Sequence, residues 1–414
     1  HSYKAQQRQG WAGTIRFQND TNNPLDSGFG YSNAVLGIFD QYEQLSKYVE
    51  GSYIYNNLEG YVQDNWKVTP RLTLDYGVRL VHQQPQYDRL GQAGNFLPDK
   101  WSLSSAPLLY VAGCAASPCT GANRQAEDPS TGKLLGPNTA VAIGTLVPGS
   151  GNALDGLFRS GQGPVPTTTY NWPTLRAEPR FGVAFNPNRR LVFRGGGGLF
   201  FDRPAGNSIY SEVQNPPELT DQTLYYSQLQ TMGGLLTQGA PNLNVYQLNS
   251  GYPSTWTWGG GVQVMLGQQL IDVSYNGQDS YNLLDNPNIN AVDFGAAFLP
   301  QNQDPTLSSS LPGGAAVTSN QMRAIRGYGG ITQYQPRGWY ISHSLQLGIS
   351  RRFSHGLSFG WNDTIVLQQK GSTSARWQHN SDGTFSLRPD QAQADQLLGD
   401  YVSTRHTFKG YFVY

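Results

Sequence analysis

The sequence predicts an all-β chain folded as part of an antiparallel transmembrane β-barrel, about half of a 22-stranded one, with long extracellular loops. Three observations carry this expectation. Stretches of alternating apolar and polar residues come in pairs. Connections are very short within a pair and very long between pairs. The 414 residues include 49 Gly, 24 Tyr, 17 Phe and 9 Trp, while only 14% are charged, a balance suited to strands and turns.

The first pair occupies 58–68 and 71–83, around Val68-Thr69-Pro70-Arg71. Its second half sets Leu72, Leu74, Tyr76, Val78 and Leu80 on one face, against Thr73, Asp75, Gly77, Arg79 and Val81 on the other. The second pair, 179–186 and 190–201, meets at Asn186-Pro187-Asn188-Arg189. The third, 255–266 and 269–279, meets at Gly267-Gln268, and the fourth, 340–353 and 357–368, at Ser354-His355-Gly356. Pro, Asn and Gly are the residues that tight hairpins require. In the fourth pair Asp363 and Arg351 interrupt an otherwise apolar face.

The long connections, 84–178, 202–254, 280–339 and 369–403, are rich in Pro, Gly, Ser, Asn and Gln. Structureless loops beyond about 15 residues are uncommon in compact domains. Short turns alternating with long excursions match the periplasmic turns and extracellular loops of outer-membrane barrels. A soluble β-sandwich also alternates, but its strands more often run about 5–6 residues. No run of about 18 apolar residues is present to form a membrane-crossing helix. Two segments suggest helix: 31–45, as a short turn before a strand, and 389–401, with Pro389 at its start and Gly399 at its end.

Chemistry is sparsely signalled. Basic and acidic side chains balance at 28 each, which argues against nucleic acid as a partner. The six histidines are scattered, no G-x-S-x-G occurs, and no acid pair stands out, so neither an enzyme nor a metal or cofactor site is expected. FRGGGGLFF (193–201) lacks the Gly-Lys-Ser/Thr of a phosphate loop and continues as strand. Its glycines, with those of WTWGGGV (256–262), are expected to face inward and thin the wall. DPSTGK (128–133) reads as an exposed turn. Cys114 and Cys119 are expected to form a small local disulfide, the alternative being two unlinked loop thiols. Candidate ligand contacts are the loop aromatics Tyr170, Trp172, Tyr210, Tyr225, Tyr226, Tyr246 and Tyr252, set among Asn and Gln, the alternative for any one of them being an interfacial aromatic girdle or ordinary loop packing.

The blocks GYVQDNWKVTPRLTLDYGVRL (60–80), PRFGVAFNPNRRLVFRGGGGLFFDR (179–203), RGYGGI (326–331) and ISHSLQLGISRRFSHGLSFGW (341–361) resemble the barrel region of TonB-dependent outer-membrane receptors. The resemblance is greatest to the Oar-like group that carries a carboxypeptidase-regulatory-like domain. It implies a plugged barrel of 22 strands in the bacterial outer membrane, driven through a TonB box by the inner-membrane coupling complex. It further implies lipid and lipopolysaccharide around the wall and a small ligand such as a glycan, a peptide or a metal chelate. No plug, TonB box or regulatory-like domain is recognised between residues 1 and 414, and the chain opens on His1, so a fragment is expected. The alternatives are a passive porin-like or structural barrel and a secreted β-rich binding protein.

Overall fold

The computed structural model describes residues 2–5, 11–171, 173, 175–203, 206–371, 377–379, 385–387 and 405–414. Its main feature is a sheet in which nine strands follow one another in chain order, every neighbouring pair antiparallel. These wall strands are β1 (Asn57–Thr69), β2 (Leu72–Gln83), β3 (Leu175–Asn188), β4 (Leu191–Phe201) and β5 (Ser254–Leu266). The series continues with β6 (Gln269–Asp285), β7 (Ile331–Ser354), β8 (Leu357–Gly371) and β9 (His406–Val413). All four expected hairpins form, and β1 to β8 each run 11 residues or more, enough to cross a bilayer at a tilt. No helix among the described residues is long and apolar enough to cross a membrane.

The register sorts the side chains into two faces. Val62, Val78 and Pro179 are successive partners across β1, β2 and β3. Phe185, Phe193, Val262, Val273 and Leu347 continue an apolar row from β3 to β7. Opposite them run Tyr61, Arg79 and Glu178, and further along Gln263, Asp272 and Gly348. The apolar face belongs to lipid and the polar face to a hydrated lumen. Asp363 does fall on the apolar face, beside Leu347 and Phe408, where His406 Nδ1 lies 3.3 Å from its Oδ2. This contact with a polar ring offsets part of the cost of an acid at that position.

The two glycine runs are cross-strand neighbours, with Gly195 opposite Gly260 and Gly196 opposite Gly259. They do not all face inward, because a strand alternates its faces: Gly196 and Gly259 lie on the lumen side, Gly195 and Gly260 on the lipid side. Gly277 has a specific reason on the lipid side. A Cβ there would run into the indole of Trp258, which lies flat against the wall.

The long connections are not structureless. Those at 84–178, 202–254 and 280–339, with the chain before β1, fold in their described residues into an outer head with small sheets of its own. One joins Thr14–Arg16, Ile38–Leu45, Asp221–Gln228 and Leu235–Thr237; another pairs Gly94–Phe96 with Leu157–Arg159. Helix α1 is short (Gly30–Leu36) and stops at Gly37, whose φ of 71° is open to glycine at no cost. The segment 31–45 is therefore half helix and half strand. The suggested helix at 389–401 lies outside the described residues. The head is moored to the wall by Leu243–Tyr246, which adds in parallel to the start of β7.

Candidate functional site: the lumen wall and the outer head

On the lumen face, alternation along β1, β2 and β3 brings four charges together. Arg79 pairs with Glu59 and, at 3.5 Å, with Glu178, while Arg180 approaches Glu178 at 3.7 Å. Glu178 is only 3% exposed and accepts the Phe201 backbone N–H at 3.1 Å. Two guanidiniums and a backbone donor surround it and offset part of the cost of burying a carboxyl group. Arg176, beside this cluster, lies over the rings of Phe201 (5.8 Å) and Tyr252 (5.3 Å). Beyond it the wall offers Gln263, Asp272, Ser274, Asn276 and Gln278 along β5 and β6. Such a surface can exchange hydrogen bonds with a hydrated solute without holding it tightly.

The candidate aromatics are placed differently from expectation. Tyr170, Tyr210, Tyr246 and Tyr252 are at most 2% exposed and form much of the principal core of the head with Leu45, Val49 and Val213. Tyr246 stacks between Tyr170 (4.4 Å) and Tyr334 (4.9 Å), and Tyr53 meets Tyr210 edge-on at 6.1 Å. Tyr252 donates its hydroxyl to the Gln83 carbonyl at 2.9 Å, and burial pushes its phenol up to about 12. Tyr226 is buried and donates to Asp20 at 2.9 Å. Tyr225 alone of those described is half-buried, edge-on to Tyr226 at 6.0 Å. Trp172 lies outside the described residues. Their Asn-rich surroundings suggested a surface, but here buried asparagines tie backbone segments together. Asn215 Nδ2 donates to the carbonyls of Gly94 and Asn244, each at 2.7 Å.

The expected disulfide is absent from the structure. Cys114 and Cys119 are free thiols, the first exposed and the second half-buried, and Cys119 is pushed up to about 11 by burial and by its contact with Cys114. The 128–133 segment is a turn as expected, with Asp128 accepting from the Ser130 N–H at 2.9 Å and hydroxyl at 2.7 Å.

Sequence reasoning placed Arg79 in the lumen but missed Glu59, Glu178 and Arg180. The signal was the i, i+2 spacing of Glu178 and Arg180, which puts both on one face of a strand. It also missed Glu212, fully buried at the end of α2 (Gly206–Glu212). The Thr169 hydroxyl lies 2.6 Å from Glu212 Oε2 and 2.7 Å from the Thr168 carbonyl. The hydroxyl donates to Glu212, whose carboxyl group is otherwise shut away from water. Burial holds its carboxyl well above the usual range, against the opposing pull of its hydrogen bonds to Thr169 and the Tyr246 N–H.

A pH dependence follows. Below the ordinary value of 4.5 the carboxyl is protonated in both states; above it the unfolded chain ionises while the folded head does not. The folded state then holds the extra proton, so the head loses stability as pH rises, by up to about 1.4 kcal/mol per pH unit. Glu212→Gln, whose amide oxygen can still accept from the Thr169 hydroxyl, is expected to flatten this slope. Urea unfolding of the head at about pH 4 and about pH 8 checks it; an unchanged slope rules out Glu212 as the source.

The sequence profile of the outer membrane beta barrel domain family matches residues 1–414. The chain belongs to that family, and its place is the bacterial outer membrane. No curated protein matched. Among solved structures, the siderophore receptor PiuA from Acinetobacter baumannii aligns over 91% of this chain and 32% of its own, at 10% identity and a TM-score of 0.37. The FrpB iron transporter from Neisseria meningitidis aligns over 81% and 40%, at 12% identity and a TM-score of 0.28. A mutant of the ferric enterobactin receptor PfeA from Pseudomonas aeruginosa aligns over 79% and 40%, at 11% identity and a TM-score of 0.31. The chain thus spans 32–40% of the length of these three proteins.

Proposed function

We propose that the chain is wall and outer head of a TonB-dependent receptor that captures a small ligand outside the cell and passes it inward along the lumen face. The observation that carries this is the combination of a polar wall with a head that has hydrophobic cores of its own. A passive pore needs only the wall. A receptor needs a fixed outer surface on which to recognise something, and the ordering entropy of more than a hundred loop residues is met here by burial. The quoted sequence blocks support the Oar-like group within that class. A glycan, a peptide or a metal chelate each suits the wall's hydrogen-bonding side chains. Energy coupling belongs to a plug and a TonB box, which the receptor class supplies.

Conductance tests the proposal. The natural protein, in its full length, is reconstituted into planar bilayers in potassium chloride. A receptor closed at rest passes no steady current. A continuous open-channel current assigns the chain to a porin instead.

A further inference from the structure

We propose that a cleft in the outer head binds a small organic anion with an apolar body, and that Arg326 receives its anionic group. This goes beyond the receptor proposal by naming a ligand class, and rests on it only for where the captured molecule goes next.

The cleft has a volume of about 540 Å³, within the range of sites for small molecules. Two long connections build it. Leu103, Pro107 and Leu108 come from one, and Ile289, Met322 and Ala324 from the other. Three charged side chains also line it: Arg323, Arg326 and Asp293. Arg323 is committed to the protein, donating to the Asn290 carbonyl and, at 3.4 Å, to Asn320 Oδ1. Asp293 forms no ion pair with either guanidinium among the described residues. Arg326 is half-buried, yet among the described residues its side chain makes no hydrogen bond and no ion pair.

The backbone on either side of this uncommitted group is firmly held. Asn290 Oδ1 accepts the Ile325 N–H at 2.9 Å, and its Nδ2 donates to the carbonyls of Ile325 (3.0 Å) and Gly329 (2.8 Å). Gly327 has a φ of 89° and presses on Pro107, where a Cβ would stand 2.6 Å from the ring. Tyr328 is buried edge-on to Phe96 at 5.1 Å and donates to the Asp155 carbonyl at 2.9 Å. Arg326 opens the RGYGGI block, and the rest of that block serves to fix it in place.

The chemistry of the ligand follows. A guanidinium partly withdrawn from water and lacking an acid partner gains most from a carboxylate or a similar anion, which its fork binds with two parallel hydrogen bonds. Burial lowers the proton affinity of Arg326 with no acid opposing it, so a bound anion would restore what desolvation removes. The apolar walls favour an anion attached to a hydrocarbon or aromatic body over a bare inorganic ion.

Calorimetric titration of the natural protein in detergent, against a matched micelle blank, tests this with three probes. Indole-3-acetate carries both body and charge, indole-3-ethanol the body alone, and inorganic phosphate the charge alone. Indole-3-acetate is expected to bind at least tenfold more tightly than either of the others. Arg326→Gln is expected to weaken indole-3-acetate at least tenfold and leave indole-3-ethanol unchanged, with Arg326→Lys recovering part of the loss. Ala324→Glu places a carboxylate at the exposed rim of the same cleft and is expected to abolish binding of the acid without touching the buried anchors. Equal binding of acid and alcohol overturns the proposal. So does tighter binding of phosphate, unchanged affinity in Arg326→Gln or Ala324→Glu, or no saturable binding of indole-3-acetate at millimolar concentration. None of these outcomes depends on conductance, so this site and the receptor proposal fail separately.

Discussion

Val78→Arg is expected to keep the barrel from assembling in the outer membrane, while Gln63→Arg, at the same depth on the opposite face, is expected to be tolerated. Val78 stands mid-strand on the lipid side, 39% exposed, between Val62 and Pro179. A guanidinium there is too far from either interface to reach water easily, and costs about 2–4 kcal/mol at the bilayer midplane. Gln63 pairs with Gly77, the residue next to Val78, and points into the lumen, where a charge stays hydrated. The folded fraction of each variant, read as heat-modifiable mobility of outer-membrane extracts, checks this. Equal recovery of the two would reverse the assignment of faces.

Tyr246→Ala is expected to unfold the head and spare the wall. The side chain is fully buried and stacks on two further tyrosines, so its removal leaves a cavity worth about 3–5 kcal/mol. The loss falls where the head is moored, because Leu243–Tyr246 is the strand that joins β7. Extracellular protease on intact cells should then cut within 84–174 and 202–253, while the wall keeps its heat-modifiable mobility. A head as resistant as the parent's would show that Tyr246 is not a keystone.

The wall was legible in the sequence because a membrane barrel obeys one simple rule over long stretches. Ten or more alternating residues ending at Pro70, Asn188, Gly267 or Gly356 leave little choice of structure or register. Even Asp363 fell where the alternation placed it. The head was not legible, because its strands run from two to five residues in many places and pair across long gaps. Phe96 meets Leu157, and Asn95 meets Phe158, with no periodic signal at either end. Of the two readings of the loop aromatics, packing and not surface contact describes most of them, for a related reason. Asn and Gln near a tyrosine suggest a wet surface, yet Asn95, Asn215 and Asn290 are themselves 0–1% exposed and hydrogen-bond the backbone around the core. The Arg326 cleft joins segments nearly two hundred residues apart, which no local pattern records.

Strand β7 runs 24 residues, from Ile331 to Ser354. At about 3.3 Å per residue and a tilt near 45°, such a strand rises about 56 Å, roughly twice the height of the apolar band. Its upper part, from Ile331 onward, therefore stands clear of the apolar band, like a mast, with Leu243–Tyr246 lashed to it. What the described residues of the head present to the surroundings is then a fixed relief. An antibody, a phage or a competing bacterium meeting this surface encounters a shape assembled from distant parts of the sequence, and must recognise it as a shape.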